Sequence, residues 1–161
     1  MRSEQEVISA IDRYGDTVRR LCLLYLKNYA DTEDIFQTVF LKYALRSAAF
    51  ASPEHEKAWF IRVTINGCKD LLKSFFFTKT VSLEEALPLT APIPQQYRDV
   101  LEQVMILPQK YKEVIFLHYY EGYSAPEIGR ILRKNTNTVY TLLNRGREML
   151  RGQLEKEGYH G

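Results

Sequence analysis

Residues 123–150 read YSAPEIGRILRKNTNTVYTLLNRGREML. Ser124 and Glu127 stand in the S-x-x-E spacing of a capping box, with Pro126 in the first turn that follows. Ile128, Ile131 and Leu132 form one apolar side, and Gly129 leaves room for a second helix to approach. Asn135 is placed to cap the next helix, whose inner stripe is Val139, Leu142, Leu143, Gly146 and Leu150. Opposite that stripe lie Asn137, Tyr140, Thr141, Asn144 and Arg151, flanked by Arg145 and Arg147. Such a pair of short helices fits a helix-turn-helix, whose second helix can enter a DNA major groove and offer amides, hydroxyls and guanidinium groups; a purely structural helical hairpin fits the same spacing. Arg133 occupies the turn position where glycine would relieve left-handed strain.

Charge agrees with this placement. From Gly129 to Arg151 there are six Lys or Arg residues and a single acid, Glu148, although the whole 161-residue chain is only +2. Before residue 95 the balance is 12 basic against 12 acidic residues, and after it 10 against 8. Basic faces are therefore local. The segment upstream, PQKYKEVIFLHYYEG, starts a helix after Pro108 and stops it at Gly122, with Val114, Ile115 and Leu117 as packing support.

Further upstream, TKTVSLEEALPLTAPIPQQ (78–96) carries Pro88, Pro92 and Pro94 and no sustained helical period, which marks a linker. Helical periods dominate both flanks. The chain is thus expected to be all-α: two small helical domains, 1–77 and 97–157, joined by a proline-containing linker. In the first, Val7, Ile8, Ile11, Tyr14, Val18, Leu21, Cys22 and Tyr25 make a buried stripe with Gly15 as a point of interruption. Asn28 is a plausible left-handed stop, Asp31 a cap for the second helix, and a third helix runs over about 55–74. Phe75, Phe76 and Phe77 are placed to close the core.

Two helix faces do not have core or solvent composition. On DTEDIFQTVFLKYALRS, Ile35, Phe36, Val39, Phe40 and Tyr43 face inward, whereas Asp34, Gln37, Leu41 and Leu45 share the outer side. Two leucines beside an acid and an amide fit a protein-binding face. On HEKAWFIRVTINGCKDLLKS, Trp59, Arg62, Asn66, Lys69 and Lys73 share one face beside an inner side of Phe60, Val63, Gly67, Cys68 and Leu71. An aromatic, an amide and three cations suit unpaired nucleic acid; a buried Trp beside a solvated basic face fits the same pattern.

Together these stretches resemble the extracytoplasmic-function sigma factors, the smallest branch of the sigma-70 class of bacterial RNA polymerase. DTEDIFQTVFLKY and KAWFIRVTINGCKDLL are similar to the family's second conserved region. LPQKYKEVIFLHYYEGYSAPEIGRIL with TVYTLLNRGREML is similar to its fourth. The resemblance covers about 140 residues in order. It implies promoter recognition and strand opening with core RNA polymerase as partner. Asp34, Gln37, Leu41 and Leu45 would dock on polymerase. Trp59, Arg62, Asn66, Lys69 and Lys73 would meet the melted −10 element. Asn137, Thr138, Tyr140, Thr141, Asn144, Arg145 and Arg147 would meet the −35 duplex. The loop SAAFASPE, with Phe50, would wall the pocket for an extruded base. An anti-sigma factor is the further partner implied. Arg133, Tyr140 and Leu142 depart from the glycine and two basic residues more usual there.

Other classes fit less well. A stand-alone helix-turn-helix regulator shares the C-terminal half only. His55, His118 and His160 lie far apart and no glycine-rich phosphate loop occurs, so no catalytic residue, metal or cofactor is assigned. No apolar run approaches the ~18 residues of a membrane span, and the charged N-terminus is no secretory signal. Cys22 and Cys68 lie in apolar surroundings, which fits buried thiols and a cytoplasmic location.

Overall fold

In the computed structural model, residues 1–78, 104 and 106–156 are described, with side chains to 74 and to 152. The linker read at 78–96 falls outside them except for Thr78, as do the side chains of Phe75, Phe76 and Phe77. The described residues form six helices and no strand: α1 (Glu4–Leu26), α2 (Tyr29–Leu45), α3 (Pro53–Thr78), α4 (Gln109–Ile115), α5 (Ala125–Leu132) and α6 (Thr136–Lys156). They divide between two compact units, Met1–Tyr97 and Arg98–Gly161. The all-α class expected from the periodicity is what forms.

In the first unit, α1, α2 and α3 pack on one another. Phe60 is the hub of the core. It is fully buried, stacks on Tyr14 at 4.7 Å and meets Tyr43 at 5.0 Å and Phe40 at 5.1 Å. Each such ring pair adds about 0.5–1.5 kcal/mol beyond simple burial. Helix α1 opens on a capping box between Ser3 and Glu6 and runs unbroken past Gly15. Gly15 does not interrupt it: its backbone is helical, and a Cβ there would rest in ordinary contact, 3.5 Å from the Phe36 ring. Ile8 is exposed rather than part of the stripe, while Ala10 takes a buried place on α1. Arg19 donates to Glu33 at 2.8 and 3.3 Å, tying α1 to α2 and holding the Glu33 carboxyl below its ordinary range.

The α1–α2 junction differs from expectation by one residue. Lys27, not Asn28, adopts the left-handed conformation (φ 60°), and its N–H donates to the Leu23 carbonyl. Asn28 is extended and is itself the cap of α2. Its Oδ1 accepts the Asp31 N–H at 2.8 Å, and its Nδ2 donates to the Asp31 carboxylate at 2.8 Å. Asp31 therefore lies inside the first turn. Ile35 is only half-buried, and α3 starts two residues earlier and ends four later than the periodicity indicated. The buried side of α3 is Phe60, Ile61, Thr64, Ile65 and Cys68; Val63, Gly67 and Leu71 are half-buried at its margin. Cys22 and Cys68 are buried free thiols, and burial followed by their mutual hydrogen bond pushes Cys22 up.

In the second unit α6 packs on both α4 and α5. Val114, Ile115, Leu117, Ile128, Val139 and Leu143 are buried, as the spacing indicated. The helix begun at Gln109 does not continue as α-helix to Gly122. It changes at Phe116–Tyr120 into a π-turn, where the Glu121 N–H reaches the Phe116 carbonyl at 3.2 Å. Gly146 lets α4 and α6 touch, since a Cβ there would stand 3.0 Å from Ile115.

Candidate nucleic-acid interface

The turn between α5 and α6 is built as the sequence indicates. Both halves of the capping box form, the Ser124 N–H donating to Glu127 at 3.0 Å and the Glu127 N–H to Ser124 Oγ at 3.3 Å. The Ser124 N–H, and after it the Ser124 side chain, hold the Glu127 carboxyl below its ordinary range. Arg133 closes α5 in the left-handed region (φ 57°, ψ 50°). Gly129 accommodates the turn's own backbone: a Cβ would stand 2.7 Å from the Lys134 carbonyl oxygen. Asn135 Oδ1 accepts the Asn137 N–H at 2.8 Å and starts α6.

Helix α6 then presents Asn137, Thr138, Tyr140, Thr141, Asn144 and Arg145 to solvent, with Arg147 half-buried. Thr141 returns a bond to the Asn137 carbonyl at 3.1 Å. Arg147 donates through Nε to the Tyr119 hydroxyl and through Nη1 to Asn144 Oδ1, the latter at 2.8 Å. Donors, acceptors and cations thus converge on one exposed helix face. Tyr119 was not legible as part of it, because it reaches α6 from the π-turn and carries no helical-period signal.

In the first unit, Asp34, Gln37, Leu41 and Leu45 are all exposed along one side of α2, Leu41 at 59% and Leu45 at 61%. On α3, Asn66 and Lys73 are exposed and Arg62 and Lys69 half-buried, with the Lys69 ammonium 6.0 Å from the Tyr25 ring centre. Trp59 is half-buried. Its ring meets Phe60 at 5.0 Å, Phe50 at 5.7 Å and Tyr43 at 6.1 Å. Phe50 belongs to the same cluster, with the Arg46 guanidinium 4.6 Å and that of Arg2 5.3 Å from its ring centre. Arg2 also anchors the chain after α2, donating to the Ala48 carbonyl at 2.9 Å. Among the described residues no group of side chains could hold a metal ion, and no helix is long and apolar enough to cross a membrane.

Comparison with known proteins falls on these same segments. The sequence model for sigma-70 region 2 matches residues 10–74, and that for sigma-70, region 4 matches residues 94–150. The RNA polymerase sigma factor SigV of Bacillus subtilis is 30% identical over 153 residues, covering 94% of this chain and 92% of that protein. This chain belongs to the extracytoplasmic-function sigma factors of the sigma-70 family. The ECF RNA polymerase sigma factor SigW of Bacillus subtilis is likewise 30% identical, over 89% of this sigma factor and 86% of its own length. The fold of this sigma factor is similar to that of RpoE from Bartonella quintana, solved in complex with the anti-sigma factor NepR. There the TM-score is 0.75 and the identity 18%, over 94% of this chain and 98% of that one. The protein is an RNA polymerase sigma factor, a subunit that joins core polymerase and brings it to promoter DNA.

Proposed function

We propose that this sigma factor divides its work among three helix faces. The outer side of α2, with Asp34, Gln37, Leu41 and Leu45, docks on core polymerase. The stripe on α3, with Arg62, Asn66, Lys69 and Lys73, follows the melted −10 strand, and Trp59 backs it from within the aromatic cluster. The outer side of α6, with Asn137, Thr138, Tyr140, Thr141, Asn144, Arg145 and Arg147, lies in the major groove of the −35 duplex. The domains are 1–77 and 97–157, with 78–96 as the tether.

The observation that carries this reading is the α6 face: seven polar or aromatic side chains on the exposed side of a capped helix-turn-helix, in a chain of net charge only +2. Phosphate contacts dominate DNA affinity and scale with the charges neutralised, so so weakly basic a chain grips DNA poorly alone. Tethering both units to polymerase raises their effective concentration at the promoter. Captured unpaired bases offset an unpairing cost of a few kcal/mol, so strand opening proceeds without ATP and without catalytic residues. The protein acts in the cytoplasm, where polymerase is, and an anti-sigma protein that covers these faces would hold it inactive.

Run-off transcription with purified core polymerase on a randomised promoter pool tests this. Enrichment of a two-element promoter, dependent on both proteins, is the expected result. High-affinity binding to a palindromic duplex by the chain alone, with no transcript, would instead identify a stand-alone regulator.

A further inference from the structure

We infer that Asn144 reads the keto edge of one base in the upstream element, because Arg147, itself held by Tyr119, occupies its carbonyl. This rests on the reading of α6 as the duplex-contacting helix.

The argument begins in the π-turn. Its wider register brings Tyr119 against α6; in an α-helix each residue turns by about 100°, so one residue fewer would swing the ring away. The neighbouring imidazole packs against that ring and is itself held. The His118 ring meets it edge-on at 4.8 Å, and His118 Nδ1 lies 2.7 Å from the Tyr123 carbonyl oxygen. A carbonyl only accepts, so Nδ1 carries the proton and the imidazole is held in place. The Tyr119 hydroxyl then accepts the Arg147 Nε–H, with the guanidinium carbon 5.5 Å from the ring centre.

Arg147 in turn orients Asn144. A guanidinium has donors and no acceptor, so the Asn144 atom 2.8 Å from Nη1 must be Oδ1. The amide is thereby prevented from flipping, and Nδ2 with its two N–H groups is the end left for a partner. The second lone pair on Oδ1 lies beside a full positive charge and is a weak acceptor for an amino group. Bidentate pairing with adenine needs that oxygen to accept from N6. A donor-only amide instead matches the O6 and N7 acceptors of guanine or the O4 acceptor of thymine. Arg147 keeps its Nη2 donors for a phosphate. Tyr119 is thus a positioning residue and Asn144 the specificity-determining one.

The test uses the full chain with core polymerase on a promoter pool randomised across the upstream element, reading base preference position by position. The wild type should favour guanine or thymine over adenine and cytosine by about tenfold at one position, and Asn144→Ala should flatten that position alone. Asn144→Asp, which keeps the bond to Arg147 but offers only acceptors, should turn the same position toward cytosine or adenine. Tyr119→Phe removes the anchor of Arg147. It should cut the preference there to threefold or less while the other positions and the helicity stay unchanged. A wild-type preference for an amino base at the Asn144-dependent position would overturn the inference, as would a Tyr119→Phe profile identical to wild type. If no upstream position shows any preference, the assignment of α6 to the duplex falls, and this inference with it.

Discussion

The outer faces of α2 and α6 are both exposed, yet they are made of different chemistry. On α2 two leucines lie open beside Asp34 and Gln37. Among the described residues of α6 no leucine is exposed, and amides, hydroxyls and guanidinium groups take their place, with Arg147 bound to both Asn144 and Tyr119. Exposed leucine gains only when another protein excludes water from it. Fixed donors gain when a rigid array of acceptors, such as a base edge, meets them in register. The α3 stripe lies between the two, cationic like α6 but without a ring-anchored guanidinium among its described contacts. A melted strand adapts its own shape to such a surface; a duplex does not. This contrast in chemistry is what the proposed division among polymerase, melted strand and duplex rests on.

The sharpest way to break this contrast is Leu41→Asp. It should lower affinity for core polymerase by roughly thirtyfold or more, the ~2 kcal/mol or more of a central interface anchor, with helicity unchanged. Normal co-purification with core polymerase would remove α2 from the docking face. Gly129→Ala strikes the other side. Its Cβ would collide with the Lys134 carbonyl, forcing the turn apart at a cost of about 1–3 kcal/mol, read as a lower denaturant midpoint. Upstream-element preference should suffer while polymerase binding persists.

A titration gives a pH handle on the core of the first unit. Burial, and next the hydrogen bond to Glu56, push the Tyr14 phenol in the first unit up to about 12, from an ordinary value of 10. The folded pKa is the higher one, so this contribution is complete below pH 10 and is lost as pH rises toward 12. Denaturation midpoints measured from pH 9 to 12 should fall, and Tyr14→Phe should flatten part of that fall. Arg133→Gly is the smallest change. Relief of about 1–2 kcal/mol of left-handed strain is partly offset by the ~0.5–1 kcal/mol entropic cost of glycine, leaving a gain of about 0.5 kcal/mol. A slightly higher melting temperature with unaltered base preference is the expected outcome.

Where a local rule governs an element, the residues alone revealed it. Ser124 and Glu127, three apart, make their box, and Val139, Leu142 and Leu143 turn inward because 3.6-residue periodicity leaves them no other side. The junction at 27–28 was misassigned by one residue, since asparagine suits both a left-handed stop and a helix start. The buried Asn28, whose carboxamide reaches Asp31, settles it as the latter. Trp59 illustrates a different limit. Helical spacing put it on the stripe with Arg62 and Asn66, but spacing does not say which rings arrive from α2 and the following loop to cover it.

The order of hydrophobic, capping and basic residues along the chain was enough to determine two helical units, a helix-turn-helix and the faces worth testing, because those depend on neighbours within one turn. Which of the polar groups are held, and by what, came only with the packed chain. Tyr119 meets Arg147 across 28 residues of sequence, through a π-turn that no local period encodes, and the direction in which Asn144 points follows from that meeting.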